Sequence, residues 1–257
     1  MKRVTSRDND IFKSLRRLAR SPRARREENR LVLDGVHLVQ AYLEQFGPTG
    51  MMLVIRAGTT DNPEMSALTQ HATSVLMADS LFDQVAPVQS PVGLLALAPL
   101  PHVAFNRVPG FQVLLDGVQD PGNLGAILRS AAAAGATVVH LSKECADPWA
   151  PKSLRGGMGA QFVLPVRQHR DLTASARTLG VRLIACTAAG SISLFDADLT
   201  GAVGFVVGGE GAGISTALLS QTDRQVRIPM RDGIESLNAA HAATLCFYEW
   251  LRRAPRS

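Results

Sequence analysis

Three polar clusters follow short apolar runs, and each holds residue types that bind anions or move protons. The first is Asp120-Pro121-Gly122-Asn123-Leu124-Gly125, with Arg129 four residues beyond Gly125. The second is Gly208-Gly209-Glu210-Gly211, continuing to Gly213. The third is Glu235-Ser236-Leu237-Asn238. An arginine fork holds a phosphate or carboxylate by two parallel hydrogen bonds. From spacing alone, Arg129 is either such a clamp or a solvent-facing helix arginine. Glu210 either orients a substrate hydroxyl or caps the amides of its own loop. Ser236 is either a site residue or a helix N-cap, and Asn123 by itself reads as a turn residue. The histidines do not cluster with cysteine or acids at metal-ligand spacing, so no metal site is expected. His140 follows a strand and reads as structural. His241 shares a helix face with Asn238, three positions earlier.

The elements that must position these clusters are short strands. Phe111 to Leu115, Val203 to Val207 and Val226 to Met230 are apolar runs of strand length, one ahead of each cluster. Further strands are expected at Thr137 to Leu141, Phe162 to Val166 and Val181 to Cys186. Helices are expected from the first cluster to Gly135, at Lys152 to Met158, from Asp171 to Gly180, and over 237–253. This β-α alternation implies a mostly parallel sheet. Loops after parallel strands gather on one edge, where ligands bind, so the three clusters should converge. Gly209-x-Gly211-x-Gly213 invites comparison with a dinucleotide loop. Ile214, however, stands where that fingerprint has its third glycine, and too few residues follow to complete a doubly wound sheet. The ligand site is therefore built at the C-terminal end of its domain.

Residues 31–98 alternate short strands and helices and read as a separate small α/β domain. Pro99, Pro101, Pro109 and Gly110 punctuate a linker over 99–110, and residues 111–257 form the second domain. Residues 1–30 hold 11 Lys/Arg and 4 Asp/Glu, a local +7 in a chain whose total is +5. The rest is close to neutral, so the N-terminus reads as a basic arm for a polyanion, with a solvated basic helix as the alternative. Arg16, Arg17, Arg23, Arg25 and Arg26 are its candidate phosphate contacts. A hydrophobic content of 46% fits a globular protein with sizeable cores. No apolar run reaches membrane-spanning length, and Met-Lys-Arg-Val-Thr opens no signal-peptide core. Cys145, Cys186 and Cys246 are widely spaced and odd in number, which points to a reducing cytoplasm.

Taken together, the clusters resemble the SpoU, or TrmH-type, RNA ribose 2′-O-methyltransferases of the SPOUT superfamily. The residues that carry the resemblance are Asp116-x-x-x-Asp120-Pro121-x-Asn123-x-Gly125-x-x-x-Arg129-x-Ala131, Gly208-x-Glu210-Gly211-x-Gly213, and Ile228-Pro229-Met230 followed by Glu235-Ser236-Leu237-Asn238. The resemblance implies a C-terminal parallel-sheet α/β domain with a deep trefoil knot. Residues 31–98 resemble the family's ribosomal-protein-like substrate-binding domain. It also implies a homodimer with the active site at the interface, and S-adenosylmethionine as cofactor. By position, Gly208, Ile228 and Leu237 would hold that cofactor, with Thr187, Met230 and Gly209 beside them. Arg129 would bind phosphate and hydroxyl, and Asn123, Glu210, Ser236 and Asn238 would complete the catalytic constellation. The implied reaction is methyl transfer to a ribose 2′-hydroxyl of structured RNA, ribosomal RNA before tRNA. The rival readings are a knotted base or tRNA methyltransferase and a non-catalytic RNA-binding or ribosome-assembly protein.

Overall fold

The computed structural model describes residues 1–59, 63–87, 91–105 and 110–254. In chain order its strands are β1 (Lys2–Val4), β2 (Arg30–Asp34), β3 (Met52–Arg56), β4 (Thr73–Met77), β5 (Leu94–Pro99), β6 (Phe111–Asp116), β7 (Ala136–Leu141), β8 (Val166–Gln168), β9 (Arg182–Cys186), β10 (Ile192–Ser193), β11 (Val203–Gly208) and β12 (Arg224–Arg227). Its helices are α1 (Asp10–Arg20), α2 (Pro22–Glu28), α3 (Val36–Phe46), α4 (Pro63–Thr69), α5 (Asp79–Val85), α6 (Pro121–Ala133), α7 (Pro151–Gly157), α8 (Leu172–Ala176), α9 (Thr216–Leu219) and α10 (Ala239–Arg253). They form two compact units, Met1–His102 with Trp149–Phe162, and Val103–Pro148 with Val163–Ser257. Residues 106–109 of the expected linker lie outside the described residues. Among the described residues no helix is long and apolar enough to cross a membrane.

The first unit is built on a five-stranded mixed sheet in the order β1-β4-β3-β5-β2. Alternate residues of a strand face opposite sides, and β2 obeys this. Leu31 and Leu33 pack with Val39, Tyr42, Leu154 and Phe162, while Val32 packs with Phe12, Leu15, Leu18 and Phe82 on the other face. Residues 1–30, expected as a basic arm, are part of this unit. β1 pairs with β4 in parallel, Arg3 opposite Leu76. In α1, Phe12, Leu15 and Leu18 recur every three residues and are fully or almost fully buried. Asn9 and Ser21 start α1 and α2, each accepting a hydrogen bond from a first-turn amide. The segment 149–162 also belongs here, although the sequence reading assigned it to the second domain.

The second unit is a seven-stranded sheet in the order β10-β12-β9-β11-β6-β7-β8, with every recorded pair parallel. One face is covered by α6 and α10, through Ile127, Leu128, Ala243 and Phe247 against Phe111, Val113 and Phe205. The other carries Leu172 and Leu218 of α8 and α9 against Leu114 and Val206. The protein is thus α/β with a parallel-sheet domain. Several expected boundaries move. The run Phe162 to Val166 is not a strand: β8 begins only at Val166, because Pro165 has no N–H for a ladder. β12 likewise stops at Arg227, before Pro229. α8 ends at Ala176 rather than near Gly180. β1, β10 and α9 were not foreseen, being too short to show a period.

Candidate active site

Parallel strands deliver their following loops to one edge, and here the register is explicit. Gly208, the last residue of β11, pairs with Asp116, the last of β6. Val206 pairs with Ala185 of β9, and Cys186 of β9 with Val226 of β12. The loops after β6, β9, β11 and β12 therefore start side by side. The turn after β11 is tight. Gly209 N–H donates to Asp116 O at 2.8 Å. A Cβ on Gly209 would lie 2.1 Å from Gly117 O, and one on Gly208 would lie 2.1 Å from the Gly213 carbonyl carbon. Only glycine allows these approaches. Asp116 Oδ2 then accepts Ser215 N–H at 2.8 Å, closing the loop onto β6.

Three of the predicted catalytic residues meet at this edge. Asp120 caps α6, accepting Asn123 N–H at 2.8 Å, and so holds Asn123 in the first turn. The Asn123 side-chain amide donates to Glu210 Oε1. The Asn238 amide donates to Asn123 Oδ1 and to Glu210 Oε1, both at 3.1 Å. Asn238 Oδ1 in turn accepts Ala240 N–H at 2.9 Å at the start of α10. The third cluster's helix cap is therefore Asn238, which leaves Ser236 free of that task. Each asparagine thus joins a helix N-terminus to Glu210, and the carboxylate is held from two sides.

Next to this cluster lies a cavity of about 380 Å³. Thr187, Gly208, Ile228, Met230, Ser236 and Leu237 line it, with Glu210 and Asn238 on its wall. Five of the six predicted cofactor residues are therefore in one cavity. Gly209 is not among the lining residues; its work is the close approach to Gly117. Among the described residues the Thr187 hydroxyl, which is buried, has no hydrogen-bond partner. A buried polar group left unpaired costs about 1–3 kcal/mol, so this hydroxyl suits a ligand that brings a polar atom. Cys186, Ile214, Ala239 and Ala242 also line the cavity and were not foreseen. Cys186 adjoins Thr187 at the end of an expected strand, which is the signal that could have found it.

Arg129 is exposed on α6, whose other face buries Leu124, Ile127, Leu128 and Ala131. Among the described residues no hydrogen bond or ion pair ties its guanidinium to the Asn123–Glu210–Asn238 cluster. His241 is exposed, and its backbone N–H donates to Asn238 Oδ1 at 3.4 Å. His140 lies apart and is buried. Its Nδ1 is 2.9 Å from His169 Nε2, and its Nε2 is 3.0 Å from Gln112 Oε1. Burial, with His169 and Arg167 nearby, lowers its pKa to about 4, as a structural histidine in neutral form requires. Among the described residues no group of three or more His, Cys, Asp or Glu could hold a metal ion.

The predicted basic contacts in the first unit divide. Arg25 is 2% exposed and donates to Leu18 O, so it is a structural residue and not a surface phosphate ligand. Its place on α2 turns it inward, where it satisfies a helix carbonyl. Arg17 pairs with Glu28 at 2.8 Å and Arg23 with Glu27 at 2.6 Å. Arg16 and Arg26 are exposed.

The fold and this edge define an α/β protein whose ligand cavity is built late in a parallel sheet, beside an amide-held carboxylate. Residues 110–248 match the SpoU rRNA Methylase family. The chain is 32% identical to an uncharacterized tRNA/rRNA methyltransferase of Synechocystis sp., over 97% of this chain and 93% of that one. It is 30% identical to the 23S rRNA (guanosine(2553)-2′-O)-methyltransferase RlmP of Bacillus subtilis, over 96% of this chain and 98% of that one. Among solved structures, the SpoU methyltransferase AviRb from Streptomyces viridochromogenes, in complex with AdoMet, is similar. Its TM-score is 0.83 at 27% identity, with 95% of this chain and 98% of that one covered. The AdoMet-bound rRNA methyltransferase from Sinorhizobium meliloti has a TM-score of 0.81 at 27% identity, with 99% of each chain covered. The chain belongs to the SpoU rRNA methylase family.

Proposed function

We propose that this protein methylates a ribose 2′-hydroxyl of structured ribosomal RNA, with S-adenosylmethionine as the methyl donor. The observation that carries the reading is the shared wall: Glu210 and Asn238 belong both to the hydrogen-bonded cluster and to the cavity. A donor in the cavity and a hydroxyl at the cluster would then be neighbours. The relative named above as a 23S rRNA 2′-O-methyltransferase and the AdoMet-bound neighbours support this substrate and this cofactor.

The cavity fits the donor in size and chemistry. Its apolar side comes from Ile228, Met230 and Leu237, and its polar side from Thr187 and the backbone at Gly208. Bound S-adenosylmethionine supplies an electrophilic methyl sulfonium. The chain's own residues must orient a weakly acidic hydroxyl and stabilise the charge that develops on its oxygen. Asn123 and Asn238 occupy Oε1 of Glu210. Oε2 stays outside these bonds and is placed to accept the hydroxyl's hydrogen. An arginine keeps its proton near neutral pH. Arg129 therefore acts as an anion clamp, on an RNA phosphate and the developing alkoxide. Ser236 adds a hydroxyl at the cavity rim. Much of the rate comes from alignment of the reacting groups.

The finer parts of the reading follow the family pattern. The active form is a cytoplasmic homodimer, and the chain after β9 threads a trefoil knot around the cavity. An exposed apolar stripe on α10, Leu245, Tyr248 and Leu251, supports a second copy as its cover. Arg129 lies outside its own cluster, which supports its service in the partner's site. The first unit, with Arg16 and Arg26 exposed, holds the RNA. Catalysis uses no metal.

The test is methyl transfer from labelled S-adenosylmethionine to ribosomal RNA and to tRNA, followed by alkaline hydrolysis. Label in alkali-resistant dinucleotides from ribosomal RNA is expected. Label in ordinary mononucleotides would mean base methylation, label in tRNA alone would move the substrate, and donor binding without transfer to either RNA or to assembling subunits would mean a binding protein.

A further inference from the structure

A parallel sheet covered on both faces is built from apolar residues, and Leu114 of β6 meets that rule beneath α8 and α9. Its neighbours on the same face do not. Gln112 stands two residues earlier on β6 and shares the face of Leu114. The register carries that face across the sheet, since Leu114 pairs with His140 of β7 and His140 with Arg167 of β8. The five-residue α8 leaves a cavity of about 630 Å³ beside these polar side chains. Gly110, Val181 and Ala202, which precede β6, β9 and β11, also line it. It therefore lies where the strands begin, at the opposite end of the sheet from the Asn123–Glu210–Asn238 cluster. We propose that this cavity is a second ligand site, for a phosphate ester of nucleotide size, with Arg167 and Gln112 as its anion donors.

The lining decides the sign of the ligand. Arg167 Cζ stands over the Phe105 ring, 5.0 Å from its centroid, a contact that leaves the N–H edge of the guanidinium open. Among the described residues no carboxylate lines the cavity, and no hydrogen bond or ion pair engages the Arg167 guanidinium. Gln112 Oε1 lies 3.0 Å from His140 Nε2, so the free end of that side chain is its amide N–H group. His140 Nδ1 is 2.9 Å from His169 Nε2, and His169 Nδ1 is 2.9 Å from Ser175 Oγ. This chain of contacts holds the wall that presents Gln112. Thr137 and Thr178 also line the cavity, but their hydroxyls donate to Phe111 O and Ser175 O. A cation with no counter-charge beside a free amide suits an anion, and the planar fork matches phosphate oxygens. Val138, Leu179 and Val181 add an apolar wall for the organic part, and the volume is that of a small-molecule site. The cavity of about 590 Å³ at the other end of the sheet includes Asp116, Asp120, Glu144, Asp171 and Glu210 in its lining, and these would repel the same ligand. Two sources carry the group, a free mononucleotide and a nucleotide of an RNA strand. The inference stands apart from the methyl-transfer reading.

The test titrates the full chain with uridine, uridine 5′-monophosphate and a 5′-phosphorylated oligouridylate, by calorimetry and by NMR of the histidine rings. A phosphorylated probe should bind, and should shift the ring signals of His140 and His169 but not that of His241. Arg167→Ala alters an exposed side chain, so it should keep the melting temperature and weaken that binding about tenfold or more. Arg167→Lys keeps the charge without the fork and should fall between the two. Binding of the monophosphate names a free nucleotide as the source, and binding of the oligouridylate alone names an RNA strand. Uridine binding as tightly as its monophosphate, neither phosphorylated probe binding, or equal affinity in Arg167→Ala overturns the inference. So does displacement of the probe by S-adenosylhomocysteine with the His140 and His169 signals unmoved, which would put the probe in the cavity at the strand ends.

Discussion

Asn238 donates its side-chain N–H to Glu210 Oε1 at 3.1 Å, across 28 positions of chain. The bond joins the start of α10 to the glycine turn after β11, and Asn123 adds a second amide to the same oxygen. In the proposed reaction this carboxylate orients the substrate hydroxyl. Glu210→Ala removes it from an exposed position, so unfolding free energy should change by only about 0.5 kcal/mol. Methyl transfer should fall about 100-fold or more. Thermal melts and single-turnover transfer check this. A lowered melting temperature with unchanged transfer would make Glu210 a loop cap only.

Arg129→Ala should keep the affinity for S-adenosylhomocysteine and lose transfer, because Arg129 does not line the cavity. Arg129→Lys restores the charge without the planar fork, so its rate should fall between the two. Calorimetry and transfer assays on one preparation check this. Equal loss of binding and transfer in Arg129→Ala would contradict the role.

The arginines of the first unit should separate by burial. Arg25→Ala leaves Leu18 O without its buried donor, at a cost of about 1–3 kcal/mol, and should lower the melting temperature by several degrees. The double variant Arg16→Ala, Arg26→Ala alters only exposed side chains. It should leave the melt unchanged and flatten the dependence of RNA affinity on salt, since fewer counterions are released. An unchanged salt slope would place RNA elsewhere.

His140 gives the protein a pH dependence of known sign. Its folded pKa is about 4, against 6.5 unperturbed. Between those values the unfolded chain binds the proton and the folded one does not, so stability falls as pH drops from 6.5 to 4. The full term is on the order of 3 kcal/mol. In His140→Gln the loss of melting temperature across this window should be shallower than in the parent chain. Parallel curves would show that His140 titrates alike in both states.

Much of the site could be read before any packing was known. The clusters follow apolar runs of strand length, and the β-α alternation requires a parallel sheet, so convergence at one edge followed from period and connectivity. Five of the six predicted cofactor residues reached one cavity for that reason. The errors fell where local pattern carries no information. Arg25 looks like its neighbours in a basic run, and only the packing of α2 turns it inward. Residues 149–162 show a helix but not which unit they join. β1 and β10 are too short for alternation to register.

The sequence by itself determined the two α/β units, the parallel sheet and the edge where Asn123, Glu210 and Asn238 stand. Those properties depend on the spacing of apolar residues and on turn chemistry, both local. Tertiary structure alone decided that the Asn238 amide meets Asn123 across 115 positions, and that the Arg25 side chain meets Leu18 O. Such contacts depend on how helices settle against the sheet, which is set by the shapes of many distant side chains at once.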